Sequence, residues 1–160
     1  MIIYLTCGLP GSGKSTWAKK FTGQHPNTII VCKDNIRTML HGEYKYNRSI
    51  EVVVKEICKQ AIKIALRKGF DIIIDETNIN RDKRHDWIEF IQSIETEATF
   101  TIVFFPEAKN NLENRMKDNR GYTAAEWEEV INSMKKDFES PNIIELPEGG
   151  KIETIEGIVR

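Results

Sequence analysis

The chain has 160 residues, 40% of them hydrophobic, and 23 Lys and Arg against 24 Asp and Glu give a net charge of −1. That length suits one domain spanning 1–160, and that apolar content supports a core, which argues against a disordered chain. No apolar run reaches the roughly 18 residues of a membrane span, and residues 1–8 have neither a basic leader nor a small-residue cleavage site, so the expectation is a cytoplasmic protein with no membrane partner.

Charge is unevenly spread. Residues 1–70 carry 12 Lys and Arg against 4 Asp and Glu, whereas residues 71–160 carry 11 against 20. A positive first half is what a polyanion-binding face requires, although solvated helix faces produce the same imbalance. Cys7, Cys32 and Cys58 are odd in number, widely spaced and set among apolar residues, as reduced core thiols are.

In chain order, residues 2–7 read as a buried strand, rich in Ile, Leu and Thr. Next comes Gly8-Leu9-Pro10-Gly11-Ser12-Gly13-Lys14-Ser15, which matches G-x-x-x-x-G-K-[ST] between a strand and a helix. Glycines there turn backbone N–H groups around phosphate oxygens, and the helix N-terminus adds its positive end. Gly11, Ser12, Gly13, Lys14, Ser15 and Thr16 are therefore the expected nucleotide contacts, with Lys14 on the β- and γ-phosphates and the Ser15 hydroxyl on Mg²⁺. The Asn-Lys-x-Asp tetrapeptide of guanine-specific proteins does not occur, which favours ATP.

A second strand over 28–32 leads into Lys33-Asp34-Asn35-Ile36-Arg37. In a parallel sheet its C-terminal end lies beside the phosphate loop. Asp34 there can take a proton from an attacking hydroxyl, and Arg37, about one helical turn on, can grip a phosphate of the same substrate. Asp34 could instead cap a helix beginning at Ile36, a role compatible with the first. Glu43-Tyr44-Lys45-Tyr46 mixes aromatic and basic residues, a composition that can stack on bases.

The spacing predicts an amphipathic helix over 49–66, with Ile50, Val53, Val54, Ile57, Cys58, Ala61, Ile64 and Ala65 inward and Glu51, Lys55, Lys59 and Lys63 outward. An apolar strand over 70–75 ends in Asp75-Glu76-Thr77-Asn78. An acid at that terminus suits a carboxylate orienting Mg²⁺ and its waters, with Asp75 preferred over Glu76 because it closes the strand. A helix over 81–94 and a strand over 99–105 follow. Arg115, Lys117 and Arg120 precede Gly121 in a short segment, 115–122, that could hinge over the nucleotide and bring Arg120 to the transferring phosphoryl group. Thr123-Ala124-Ala125-Glu126 is a capping box opening a helix with Trp127, Val130, Ile131, Met134 and Phe138 inward. Residues 142–146 and 151–155, joined across Gly149-Gly150, read as further strands. The alternation implies an α/β class, a three-layer α/β/α fold of the P-loop NTPase type around a central parallel sheet.

Taken together, the run Pro10 to Ala18, the Asp34 and Arg37 pair, Glu43 to Tyr46, Thr77-Asn78-x-Asn80 and Asn119-Arg120-Gly121 resemble the kinase domain of the T-even phage polynucleotide kinases. The resemblance covers about residues 1–138. It implies transfer of the γ-phosphate of ATP to the 5′-hydroxyl ends of DNA or RNA, with Lys14 and Ser15 holding ATP and Mg²⁺. Asp34 would be the general base, Arg37 the contact to the acceptor's phosphate and Arg120 the lid arginine. The family's essential acid immediately precedes Thr-Asn, the place of Glu76, whereas more distant relatives have an aspartate at the position of Asp75. Asp75, Glu76 and Thr77 together form the expected acceptor-side set. Phage relatives also suggest a homo-oligomer. Their phosphatase signature, Asp-x-Asp-Gly-Thr, does not occur in these 160 residues, so no 3′-phosphatase activity is expected of them.

Overall fold

A computed structural model describes residues 1–156. In chain order the elements are β1 (Ile2–Cys7), α1 (Lys14–Gln24), β2 (Thr28–Val31), α2 (Lys33–His41), α3 (Glu51–Arg67), β3 (Asp71–Ile74), α4 (Arg81–Gln92), β4 (Thr99–Phe104), α5 (Asn111–Met116), α6 (Ala124–Lys136) and β5 (Lys151–Thr154). The strands form one parallel sheet in the order β2-β3-β1-β4-β5. β3 and β4 flank β1, so the chain leaves β1 at the point where the strand order reverses, the crevice in which open α/β sheets bind ligands.

Strands buried on both faces read as unbroken apolar runs, and that is why the first four are legible in the sequence. Ile3, Leu5, Cys7, Ile72, Ile74, Phe100 and Ile102 make one sheet face and pack with Cys58, Ile62, Ala65 and Leu66 of α3 and with Trp87, Ile88 and Ile91 of α4. Tyr4 turns to the other face, where it meets Trp17 and Phe21 of α1, with ring centroids 6.1 and 4.8 Å away. All three cysteines are buried thiols. Among the described residues no helix is long and apolar enough to cross a membrane.

Two expectations need correction. The inward stripe of α3 is Val54, Cys58, Ile62, Ala65 and Leu66, while Val53 and Ile64 are exposed at 44% and 59%. Its apolar arc is wider than the sheet can cover, and the helix is rolled so that its Glu51, Lys55, Lys59 edge faces a cavity. Residues 142–146 are not a strand. They contain a single 3₁₀ turn, Ile143–Glu145, because Asn142 and Glu145 close a capping box: the Asn142 side chain accepts from Ile144 N (3.2 Å) and Glu145 accepts from Asn142 N (3.0 Å). The other half of that expectation holds, as β5 extends the sheet beside β4.

Candidate active site

The loop after β1 folds tightly for steric reasons. Gly11 has φ 77°, and a Cβ there would fall 1.9 Å from the Asn111 carbonyl oxygen; Gly13 has φ 97° and caps α1. Lys14 is the first residue of α1 and is buried. Its ammonium donates to the Leu9 carbonyl (2.7 Å) and to Ser12 Oγ (3.3 Å), so it lies across its own loop. Burial lowers its pKa to about 8, against the opposing pull of Asp75. Ser15 presents its hydroxyl at the mouth of the loop and hydrogen-bonds the Asp75 carboxylate. Burial raises the pKa of Asp75, and that hydrogen bond and the Lys14 charge oppose the rise.

Above the loop, Arg115 stacks over Trp127 (4.6 Å), and its buried Nε has no hydrogen-bond acceptor among the described residues. An orphaned guanidinium N–H, a lysine ammonium and a helix N-terminus around one loop fit a polyphosphate. A serine hydroxyl beside a buried carboxylate offers the hard oxygen donors that Mg²⁺ takes when it shares substrate phosphates.

Asp34 lies in the first turn of α2, in the cavity that the phosphate loop also lines. α2 begins one residue before it, at Lys33, with Cys32 as N-cap and no side-chain cap bond, so Asp34 does not cap the helix. Its two carboxylate oxygens instead accept from Arg37 Nη1 and Arg120 Nη1. Arg37 also grips Glu51 with two bonds, Nε to Oε1 (2.8 Å) and Nη2 to Oε2 (2.6 Å). Those hydrogen bonds pull the Glu51 pKa below the usual carboxylate value. Periodicity puts Glu51 on the solvated side of α3 and gives no sign of this role. The partner lies 14 residues away across a loop and a 3₁₀ turn, a separation no local pattern reports.

The Glu43 to Tyr46 stretch divides. The Tyr44 ring lies under the Arg120 guanidinium (4.6 Å) and the Tyr46 ring under that of Arg37 (5.6 Å), with Tyr46 exposed. Arg120 itself has φ 53° in a turn held by Asn119, whose side chain accepts from Gly121 N (3.0 Å) and whose carbonyl accepts from Trp127 Nε1 (2.8 Å). Lys117 stays at the surface, bonded to Asn114.

The two candidate acids separate. Asp75 faces Ser15 and Lys14, whereas Glu76 is paired with Lys33 (2.7 Å), which also lies over the Trp87 ring (5.1 Å). Thr77 accepts from Gly8 N through its carbonyl (2.9 Å), and the Asn78 side chain donates to the Thr6 carbonyl (2.8 Å), so this turn ties β3 to the loop. Arg84 braces the turn from below. Fully buried, it donates to the carbonyls of Asn78 and Glu139 (3.0 Å each) and makes two bonds to Glu145 (2.7 and 2.8 Å). One open cavity of about 1370 Å³ collects Gly11, Gly13, Lys14, Ser15, Thr16, Asp34, Arg37, Asp75, Glu76, Thr77, Arg115 and Arg120. Ser12 reaches it through Lys14.

Residues 3–141 match AAA_33, described as an AAA domain. The chain belongs to this family. Its fold is that of a P-loop kinase. The L-seryl-tRNA(Sec) kinase of Methanococcus maripaludis is 30% identical over 145 residues, which are 88% of this chain and 53% of that protein. The chain thus spans about half the length of that curated relative. A chain of the Pnkp1/Rnl/Hen1 RNA repair complex shares the fold with a TM-score of 0.69 at 21% identity, over 86% of this chain and 46% of its own. A fungal RNA kinase does so with a TM-score of 0.66 at 14% identity, over 97% of this chain and 73% of its own.

Proposed function

We propose that this AAA_33 chain is an ATP- and Mg²⁺-dependent kinase that phosphorylates the 5′-hydroxyl ends of DNA or RNA. The observation that carries the reading is Asp34: a carboxylate in the first turn of α2, just after β2, held between two arginines, in the same cavity as Lys14 and Ser15. The likeness in fold to a chain of an RNA repair complex and to an RNA kinase supports a nucleic-acid acceptor.

ATP with Mg²⁺ supplies the phosphoryl group and neutralises part of its charge. Gly11, Ser12, Gly13, Lys14 and Thr16 would hold the phosphates, and Ser15 and Asp75 would hold the metal. Asp34 receives the proton of the attacking hydroxyl. Arg120, which rests on Asp34 in this conformation, is carried by the 115–122 segment as a lid and joins Lys14 in neutralising the transferring group. Arg37 spends three N–H donors on Glu51 and Asp34, which leaves its other two for an acceptor phosphate. Glu76 acts through Lys33 at the acceptor side, and Thr77 fixes the turn between them. The gain is mostly positional and electrostatic, as phosphoryl transfer requires.

A second reading follows from the relative in Methanococcus maripaludis, whose name gives a seryl-tRNA acceptor. Both acceptors are primary alcohols carried on a polyanion. One reaction mixture separates them: labelled ATP, a 5′-hydroxyl oligonucleotide and seryl-tRNA, followed by digestion. Label in nucleoside 5′-phosphates is expected. Label in phosphoserine instead would overturn the 5′-end reading.

A further inference from the structure

The cavity does not stop at Asp34. It continues as a cleft between α3 and α4, lined by Lys55 and Lys59 on one side and by Lys83, Asp86, Glu89 and Phe90 on the other, with Lys33, Glu76 and Trp87 between the chemical centre and the cleft. Lys55, Lys59 and Lys63 recur every fourth residue, so they line one edge of α3 at steps of about 6 Å. Lys59 and Lys63 both lean over the Phe90 ring, their ammonium nitrogens 4.8 and 5.9 Å from its centroid.

Two like charges gathered on one ring need compensation, and the acids of the cleft supply only part of it. None of Lys55, Lys59, Lys63 and Lys83 enters an ion pair among the described residues. Glu51 holds Arg37 and Glu76 holds Lys33, which leaves Asp86 and Glu89 of α4 against the four lysines. An aromatic ring flanked by cations that outnumber the free acids along a track is the composition that binds a nucleic-acid strand without reading its sequence.

We infer that the α3–α4 cleft carries the single-stranded continuation of the acceptor, its phosphates on Lys55, Lys59, Lys63 and Lys83 and a base against Phe90. The inference rests on the 5′-end kinase reading and adds to it where the strand goes after the reacting nucleotide. Lys59 and Lys63 of α3 meet Phe90 of α4, so both helices bound the proposed path.

The test uses the whole chain and fluorescein-labelled 5′-hydroxyl oligothymidylates of two and eight nucleotides, with anisotropy followed over salt. The octamer should bind at least about tenfold more tightly than the dimer. In Lys59→Ala/Lys63→Ala that ratio should fall toward one, and the octamer's salt slope should shrink by about 1.4, or roughly 0.7 for each phosphate no longer neutralised. Lys20→Ala/Lys136→Ala, on α1 and α6, removes the same charge elsewhere. An unchanged ratio and slope in the cleft variant, an equal effect in the control variant, or equal binding of a blunt duplex would each overturn the inference. Failure of the kinase reading looks different: the octamer binds through these lysines and is never phosphorylated.

Discussion

Asp34→Asn keeps the outline of the side chain and removes the charge on which the proposed mechanism depends. Because Cys32 is the N-cap of α2, the substitution leaves the helix start intact. It does weaken the ionic hydrogen bonds from Arg37 and Arg120. The Asp34 side chain is 34% exposed and Arg37 keeps Glu51, so solvent screening reduces the loss to about 1–2 kcal/mol. That corresponds to roughly 2–8 °C in melting temperature for a chain of this size. Catalysis should suffer far more, since losing a general base costs about 10²–10⁴ in rate. ATP affinity should hold, because neither Lys14 nor Ser15 hydrogen-bonds Asp34. Thermal melting, calorimetric ATP titration and quenched-flow turnover together read the three effects. A variant turning over within about threefold of wild type would refute the base assignment.

Three more outcomes follow from the same geometry. Burial holds the Lys14 pKa at about 8, below its ordinary value; bound phosphates should raise it, so ATP binding should take up protons near and above pH 8 and weaken as pH rises, whereas at pH 7 the ammonium is about nine-tenths charged and calorimetry in buffers of different ionisation heat should show uptake of only about a tenth of a proton by Lys14. Glu145→Ala strands the buried Arg84 guanidinium and should cost about 3–5 kcal/mol in denaturant unfolding, a loss below 1 kcal/mol contradicting the brace. Asp75→Asn should raise the Mg²⁺ concentration needed for half-maximal turnover, while Glu76→Gln, acting through Lys33, should raise KM for the acceptor; the reverse pattern would exchange the roles of the two acids.

Local features are the ones legible in the sequence. The phosphate loop needs only its own glycines and Lys14 in series, and each of the first four strands declares itself by an apolar run. Asp34 and Asp75 stand out because strand ends are fixed points of a parallel sheet. The residues that escape a sequence reading depend on partners distant in the chain. Glu51 meets Arg37 across a loop, and Arg84 meets Glu145 across 61 positions. Arg115 looks like an ordinary basic residue at a helix end until Trp127 packs beneath it. The 142–146 segment fails as a strand because a capping box and the demand of Arg84 for a carboxylate outweigh its short apolar run.

Single-turnover transfer tests the central claim most directly. Enzyme in excess over γ-labelled ATP, with saturating Mg²⁺, is mixed with a 5′-hydroxyl oligonucleotide or with its 5′-deoxy counterpart and quenched in acid. 5′-Phosphorylated product should appear in a single exponential phase with the hydroxyl strand and not at all with the deoxy strand. Release of inorganic phosphate at the same rate with either strand, and no label on the oligonucleotide, would contradict it and leave a nucleotide-driven switch in place of a kinase.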